Sequence, residues 1–267
     1  MPTNSRGILL LVLIVAAPIA YPGTDIETYG DIGKPFAPPY VDRSDPVYET
    51  EFDNPEELDN WVLEGGLSAK IENGVLILES RNLPDTERRN QDHLVYWLKQ
   101  EIPADFLLEF TVRPQNRNKG LNIIFFNARG VNGESIFDPR LEARDGLFKS
   151  YTKGDLNSYH ISYWSGGRGH ANVRKNKGFQ LVASGKDMIT TGIPKSFQKI
   201  SLYKRSGHIR MAVDDIVAIR YDDDGLRYGP AYTHSGWFGF RQMGHTLKSE
   251  YGYLRIYPVR VESERED

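Results

Sequence analysis

The chain has no cysteine among its 267 residues. That absence excludes disulfides, thiolate chemistry and metal sites built on cysteine. Basic residues are not in excess either, since 33 Lys and Arg stand against 36 Asp and Glu for a net charge of -3. No overall positive field therefore favours a nucleic acid as partner. The sequence also lacks the Walker loop, the G-x-S-x-G elbow and the Rossmann fingerprint, so these three signatures point to no enzyme class.

Long apolar runs are absent except at the N-terminus, where residues 8–20 are apolar and follow Arg6. A basic start, an apolar run of about a dozen residues and small residues at its end predict a secretory signal peptide over residues 1–23. The run is short for a membrane span, which needs about 20 residues, and no cysteine follows it for a lipid anchor. We therefore expect a periplasmic or secreted protein with no membrane contact beyond export. The alternative is an uncleaved membrane anchor.

The remaining chain divides by composition. Residues 24–47 are rich in Pro, Gly, Tyr and Asp and predict a linker or an extended arm. Residues 48–260 are long enough for one large all-β domain. Residues 261–267 form a charged tail.

Sustained helical periodicity is missing, and short segments rich in aromatic and β-branched residues recur instead. An Asn73-Gly74 pair predicts a hairpin between residues 69–71 and 75–78. Further strands are predicted at residues 93–98, 106–112, 121–128, 159–164, 179–183, 200–204, 209–213, 216–221, 237–242 and 253–257. This pattern predicts an all-β fold, a two-sheet antiparallel β-sandwich of jelly-roll type.

Strand alternation indicates which side chains share a face. The predicted groups are His93 with Trp97, His160 with Ser162 and Trp164, and Trp237 with Arg241. Flat aromatic rings stack on sugar rings, while Arg, His and Asn bind hydroxyls or a carboxylate. The combination predicts a carbohydrate groove on one sheet. The alternative is that the tryptophans and histidines belong to the core, and that either Arg241 or its neighbour Gln242 reaches solvent.

Two carboxylate patterns resemble glycosidase chemistry. Glu51, Asp53 and Glu56 have the spacing of a retaining β-glucanase, but Pro55 interrupts any strand there, so we interpret the segment as a turn. Glu134 and Asp138 are the better pair, because they lie in a long connection over residues 129–158 of the kind that often carries function. Their alternative role is to stabilise that loop.

No cofactor is predicted, although a structural calcium is compatible with such a sandwich. Asp222-Asp223-Asp224-Gly225 has oxygen ligands but favours a charged hairpin turn. The histidines lack the helical spacing of a zinc motif.

A lyase is the other chemical option, since β-elimination on a uronic acid needs a group that neutralises the carboxylate together with a base and an acid. His160 is the candidate for proton transfer. Alternation places it opposite Tyr159 and Tyr163, so a tyrosine from elsewhere, such as Tyr151, would have to assist. The candidates for neutralising the carboxylate are Arg174, Arg241, Asn172 and Gln242.

Several segments resemble one family. The runs HLVYWLKQEIPADFLLEF, IIFFNARGVNGESIFDPRL, GDLNSYHISYW, NVRKNKGFQLVASG and GFRQM are similar to the bacterial YesU-like family, domain of unknown function 1961. The resemblance extends over residues 48–257 and implies a concanavalin A-like lectin/glucanase sandwich. It also implies a role in the use of polysaccharides, notably pectin-type and other uronate-containing glycans. The family supplies no settled catalytic residues, and many of its members lack an export signal.

The matching family positions give the remaining candidates. They are Asn127, Arg129, Asn132, Glu134 and Asp138, then Asn157 and His160, then Asn172, Arg174 and Lys175, and finally Arg241 and Gln242.

We hypothesise an exported protein that binds or acts on oligosaccharides, with a lyase or hydrolase slightly favoured. His160, Arg241 and Glu134 are the candidate catalytic residues. The candidate substrate-binding residues are His93, Trp97, Asn127, Arg129, Asn157, Trp164, Asn172, Arg174 and Gln242. The alternatives are a non-catalytic carbohydrate-binding module and a structural or interaction protein without a sugar site.

Overall fold

The computed structural model describes residues 31–39, 41–81, 92–115, 119–164, 166–189 and 196–259. The predicted signal peptide and charged tail lie outside these residues. Within them, no helix is long and apolar enough to cross a membrane.

Fifteen strands form two antiparallel sheets, which confirms the predicted all-β sandwich. The strands are β1 (Tyr48–Thr50), β2 (Trp61–Gly65), β3 (Ser68–Glu72), β4 (Val75–Glu79), β5 (Leu94–Leu98), β6 (Phe106–Pro114), β7 (Asn122–Gly130), β8 (Leu156–Trp164), β9 (His170–Asn176), β10 (Gln180–Lys186), β11 (Gln198–Arg205), β12 (His208–Val213), β13 (Ile216–Asp222), β14 (Trp237–Gln242) and β15 (Lys248–Pro258). One α-helix, α1 (Phe148–Thr152), and two 3-10 helices, Pro55–Asn60 and Gly244–Thr246, complete the described elements.

The strands divide into a back sheet and a front sheet. The back sheet has the order β13-β12-β11-β6-β15-β4-β3, with β1 also paired to β15. The front sheet has the order β10-β9-β8-β7-β14-β5-β2. Residues 33–36 hydrogen-bond to β13, so this part of the predicted linker lies along the outer strand of the back sheet.

The main core lies between the sheets and is unusually aromatic. Trp61 stacks on Tyr96 at 4.9 Å and on Phe240 at 5.7 Å between ring centroids. Phe110 and Tyr163 add to the same buried cluster. Because alternate residues of the front sheet enter this core, the intervening residues form a second, outer face of that sheet.

The short turns agree with the sequence. Asn73 and Gly74 both have positive φ, at 54° and 72°, and close the β3–β4 hairpin. The segment with Glu51 and Asp53 is a turn followed by a 3-10 helix, as interpreted from Pro55. The Asp222–Gly225 segment is not a hairpin, however, because β13 and β14 lie in different sheets, and Asp223 is buried.

Candidate functional site

The outer face of the front sheet brings several predicted residues into two rows. The pairing register places Trp97, Gly239, Phe125, His160 and Arg174 side by side across β5, β14, β7, β8 and β9. The next row contains Val95, Arg241, Ile123, Ser162 and Asn172. The predicted grouping of His93 with Trp97 and of Trp237 with Arg241 follows from the same alternation.

Half of this face is covered by the long connection after β7. Tyr151 of α1 lies over Trp97 and Phe125, at 6.4 and 5.8 Å between ring centroids. The indole of Trp97 donates to Glu64 at 2.9 Å, and Glu64 also pairs with Arg144 at 2.9 Å. Trp97 has 0% of its surface exposed, so it presents no ring to a ligand and is not the predicted stacking platform.

Arg241 is buried beneath the same helix. Its guanidinium carbon lies 4.8 Å from the ring centroid of Phe148 and 5.0 Å from that of Tyr151. One nitrogen, Nη2, donates to the carbonyl of Gly146 at 3.2 Å, whereas Nε and Nη1 have no partner among the described residues. Burial lowers the pKa of Arg241 to about 10. A buried cation with two unused donors is costly, and an anion would satisfy it.

His160 is held neutral. Asn176 donates to its Nδ1 at 2.9 Å, which leaves the ring proton on Nε2. Burial, followed by the charges of Arg174 and Arg241, lowers the pKa of His160 to about 3. A neutral imidazole with that pKa is a weak proton acceptor at neutral pH but can donate a hydrogen bond through Nε2.

An open pocket of about 410 Å³ adjoins these residues. It is lined by Phe148, Lys149 and Thr152 of α1, Lys153 directly after this helix, Phe179 of the β9–β10 turn, and Met243 after β14. The rings of both phenylalanines contact His160, at 6.3 and 5.7 Å between centroids. His160 therefore lies directly behind the aromatic wall of the pocket.

Arg174 adds a cation at the same wall. Its guanidinium carbon lies 3.8 Å from the ring centroid of Phe179, and its Nη1 donates to the Phe179 carbonyl at 2.9 Å. Phe179 has a φ of 59°, an uncommon backbone conformation for a bulky residue. The turn directs this ring toward α1, where it meets Phe148 edge-on at 5.0 Å.

Carboxylates are scarce on this sheet. Among its seven described strands Glu64 is the only acidic residue, and it is already paired with Arg144. A retaining glycosidase requires two carboxyl groups about 5–5.5 Å apart on either side of the bond that it cleaves.

Glu134 and Asp138 are loop-stabilising residues. Glu134 accepts hydrogen bonds from the backbone and side chain of Asn132, and these bonds lower the pKa of Glu134. Asp138 binds Arg140 through both of its oxygens, which lowers the pKa of Asp138 to about 2. Neither residue lines the open pocket.

Asn127 and Arg129 connect the C-terminal end of β7 to neighbouring segments of the chain. Asn127 donates to the carbonyls of Ala104 and His234, at 3.3 and 2.7 Å. Arg129 pairs with Glu101 and lies 5.0 Å from the ring centroid of Trp237. The two residues are therefore engaged with other parts of the chain, and Asn157, half-buried on β8, lies opposite Arg129.

Trp164 and Gln242 do not lie on the outer face. A bulge in the β7–β8 pairing at Tyr163 interrupts the alternation, and Trp164 joins the main core beneath Gly120. Gln242 is also buried, and its amide donates to Ser80 at 2.7 Å. Both Arg241 and Gln242 are thus inside the protein, and neither reaches solvent.

His93 and Asn172 flank the site. His93 is buried and accepts from the Gly244 amide at 2.7 Å, and burial lowers its pKa to about 4. Asn172 is half-buried and accepts from Ser184 at 2.8 Å. Tyr159 and Tyr163 face the core, as alternation predicts, and their hydroxyls bind Asp223 and Tyr251.

The sequence reasoning missed most of the pocket lining. Phe148, Lys149 and Lys153 lie in the long connection, which was identified as functional without assigning these residues. Phe179 was expected to begin a strand, whereas it ends a tight turn. The structure describes no cluster of acidic or histidine residues that could hold a metal ion.

The two antiparallel sheets form a jelly-roll sandwich, and the front sheet carries aromatic residues on its outer face. Residues 45–256 match the family described as a domain of unknown function (DUF1961), and the chain belongs to this family. The family and the fold inferred from sequence are therefore both confirmed.

Several known proteins are similar to this chain. The uncharacterized protein YesU of Bacillus subtilis (strain 168) is 30% identical over 220 residues, which cover 79% of this chain and 94% of YesU. A crystal structure of a Bacillus subtilis protein of unknown function with a galectin-like fold matches with a TM-score of 0.72 and 27% identity, covering 83% of this chain and all of that one (100%). An endo-β-1,3-glucanase from Pyrococcus furiosus matches with a TM-score of 0.55 and 15% identity, covering 83% and 99% of the two chains. At that identity the glucanase shows only a shared fold.

Proposed function

We propose that this protein binds oligosaccharides that contain a uronic acid unit, and that the pocket between Phe148 and Phe179 is the binding site. The observation that carries the proposal is the coincidence of an aromatic wall with Arg174, His160 and Arg241 at and behind it. The endo-β-1,3-glucanase of the same fold adds support for a carbohydrate as ligand.

The aromatic wall suits a sugar ring. The Phe148 and Phe179 rings are set at 89° to each other, so the pocket offers one ring face and one ring edge. Apolar C–H faces of a pyranose can contact such surfaces, while Lys149 and Lys153 supply donors for its hydroxyl oxygens. The volume of about 410 Å³ is within the ordinary range for a small-ligand site.

The cations favour a carboxylate on that sugar. Arg174 is half-buried at the wall, and Arg241, buried behind Phe148, adds a second positive charge to its surroundings. Arginine binds carboxylates with paired hydrogen bonds, which are stronger than those between neutral groups. His160 supports the wall from behind through its contacts with Phe148 and Phe179.

Binding is favoured over turnover by the same geometry. Hydrolysis with retention needs a carboxylate pair, and Glu64 is the single acidic residue on the described front-sheet strands. β-Elimination needs a base, and the low pKa of His160 makes it a poor one. A non-catalytic carbohydrate-binding role therefore fits better than the lyase or hydrolase that the sequence slightly favours.

The test is calorimetric titration of the purified protein with α-1,4-linked oligogalacturonates, with neutral cello-oligosaccharides in parallel. We expect saturable binding of the acidic sugars alone, weakened about 10-fold or more in Arg174→Gln, which loses a charged hydrogen bond. Arg140→Gln, which removes an exposed arginine outside the pocket, is the matched control and should bind as the wild type does.

Turnover is followed in the same samples. Absorbance near 235 nm reports unsaturated ends, and mass spectrometry reports added water. New products would replace the binding role by a lyase or a hydrolase. No saturable binding of any oligogalacturonate, or an unchanged affinity in Arg174→Gln, would refute the proposed site.

A further inference from the structure

A second pocket lies on the other side of α1. It has a volume of about 390 Å³, and its polar lining includes Glu142, Lys149, Ser150, Lys153, Asp155 and Lys177. Lys149 and Lys153 line both pockets. The two pockets are therefore neighbours that share lining residues at α1.

The three lysines around these pockets have no anionic partner. Among the residues that the structure describes, Lys149, Lys153 and Lys177 form no ion pair, although the protein has many others. Lys149 lies in α1 and Lys153 directly follows it, four residues further on, where like charges repel. The helix, Phe148–Thr152, contains no acidic residue to offset them. All three lysines are exposed, so water solvates them in the free protein and they remain available to an anionic ligand.

The acidic residues of the second pocket complement this arrangement. One oxygen of Asp155 accepts from the backbone of Glu142 at 2.6 Å, and its other oxygen has no partner among the described residues. Carboxylates accept hydrogen bonds from sugar hydroxyls, whereas lysines donate to carboxylates. The second pocket thus provides both kinds of contact, and it has no aromatic lining.

We infer that the ligand is a polyanionic oligosaccharide that crosses α1, with carboxylates on sugar units in both pockets and with Lys149 and Lys153 between them. This inference rests on the proposed function, because the first pocket must be a sugar site. It adds that full affinity requires more than one acidic sugar unit. A chain that reaches Lys177 gains contacts that a shorter chain lacks, and linked contacts multiply affinity.

The test measures affinity against chain length at fixed ionic strength. Oligogalacturonates of one to six units are titrated into the wild type, Lys177→Gln and Lys34→Gln. Lys34 is exposed on the segment along the back sheet, so Lys34→Gln removes the same charge far from either pocket. We expect the wild-type affinity to rise about 10-fold or more between the shortest binding oligomer and the hexamer. Lys177→Gln should lose that rise while still binding the short oligomer normally, and Lys34→Gln should keep it.

The two proposals fail in different ways. Affinity that is independent of length, or a rise that persists in Lys177→Gln, would overturn the second-pocket inference and leave the first site intact. No binding at any length would refute the proposed function itself. A weaker dependence of affinity on NaCl concentration in Lys177→Gln than in Lys34→Gln would confirm that an ionic contact has been removed, and equal dependences would count against it.

Discussion

Tyr151 lies over Trp97 with 6.4 Å between ring centroids, and both side chains are fully buried. This contact turns the centre of the outer face into a small second core, together with Phe125 and Ile136. The cluster fastens α1 to the front sheet and so positions Phe148, Lys149 and Lys153 around the pocket. A ring that would otherwise be open to a sugar is used instead to hold the helix that lines the site.

Removal of this contact should destabilise the protein. We expect Tyr151→Ala to lower the free energy of unfolding by about 3–5 kcal/mol, because it leaves a cavity above Trp97 and Phe125. Urea denaturation followed by tryptophan fluorescence measures the change. Tyr228→Ala, at a tyrosine that is 47% exposed, is the control and should change stability little. Equal effects of the two variants would show that α1 does not depend on this cluster.

Arg241 should contribute little to stability. Its Nε and Nη1 atoms have no partner among the described residues, so replacing the buried cation by an apolar side chain of similar length removes a desolvation cost. We expect Arg241→Met to unfold at the same or a higher urea concentration than the wild type. A loss of more than about 2 kcal/mol in stability would contradict this expectation, because it would mark a charge satisfied within the fold.

Arg144 provides the matched comparison for Arg241. It is also an arginine with a buried side chain, in the connection that covers the outer face, but it binds Glu64 through two nitrogens, at 2.9 and 3.2 Å. Arg144→Met leaves the Glu64 carboxylate without its cation, so we expect a loss of about 3–5 kcal/mol. The opposite responses of the two arginines would separate a buried charge that is paired within the fold from one that is not.

Stability should fall as the pH drops below about 6.5. The pKa of His160 is lowered to about 3 and that of His93 to about 4 by burial, whereas both are near 6.5 in the unfolded chain. The unfolded chain therefore takes up protons first, and each histidine removes about 1.4 kcal/mol per pH unit between pH 6.5 and its folded pKa. Above pH 6.5 both histidines are neutral in the folded and in the unfolded chain, so this loss of stability disappears.

Comparison with His160→Gln measures how much the protonation of His160 contributes to this loss of stability. Urea midpoints measured from pH 7 to pH 4.5 should fall more steeply in the wild type than in the variant. Parallel curves for the two proteins would mean that His160 binds a proton equally well in both states. Nuclear magnetic resonance of the imidazole nitrogens should show a neutral ring with the proton on Nε2 throughout this range.

A buried ion pair holds the connection between β13 and β14. Lys175 lies 2.8 Å from Asp223, which also accepts from the Tyr159 hydroxyl at 2.5 Å. Lys175 donates in addition to the Gly229 carbonyl at 2.6 Å, so one cation holds the start and the middle of this connection.

Breaking that pair from one side should be more harmful than replacing it. We expect Lys175→Met to cost about 3–5 kcal/mol, and Lys175→Met with Asp223→Leu to cost clearly less than the sum of the two single changes. A double-mutant cycle by urea denaturation measures the coupling. Asp215→Asn, which breaks the exposed pair with Lys199, should cost at most about 1 kcal/mol. Additive effects at Lys175 and Asp223 would show that they do not act as a pair.

Local patterns predicted much of the front sheet. Alternation grouped His93 with Trp97, placed His160 and Ser162 on one face, and set Tyr159 and Tyr163 on the opposite one, because neighbouring strand residues point to opposite sides. The strand β9 escaped prediction, since His170, Asn172 and Arg174 make its sequence look polar. Those polar residues are in fact the ones that the outer face presents beside the pocket.

The sequence by itself determined the family, the two-sheet sandwich and the assignment of most strand residues to one face or the other. These properties depend on local periodicity and turn residues such as Asn73 and Gly74. Only the tertiary structure decided which outer residues stay accessible, because that depends on how a connection without periodicity folds back. The return of residues 131–155 over the sheet buried Trp97 and Arg241 and left Phe148, Phe179 and Arg174 at the opening. A single bulge at Tyr163 moved Trp164 into the core, since one extra residue reverses the alternation beyond it.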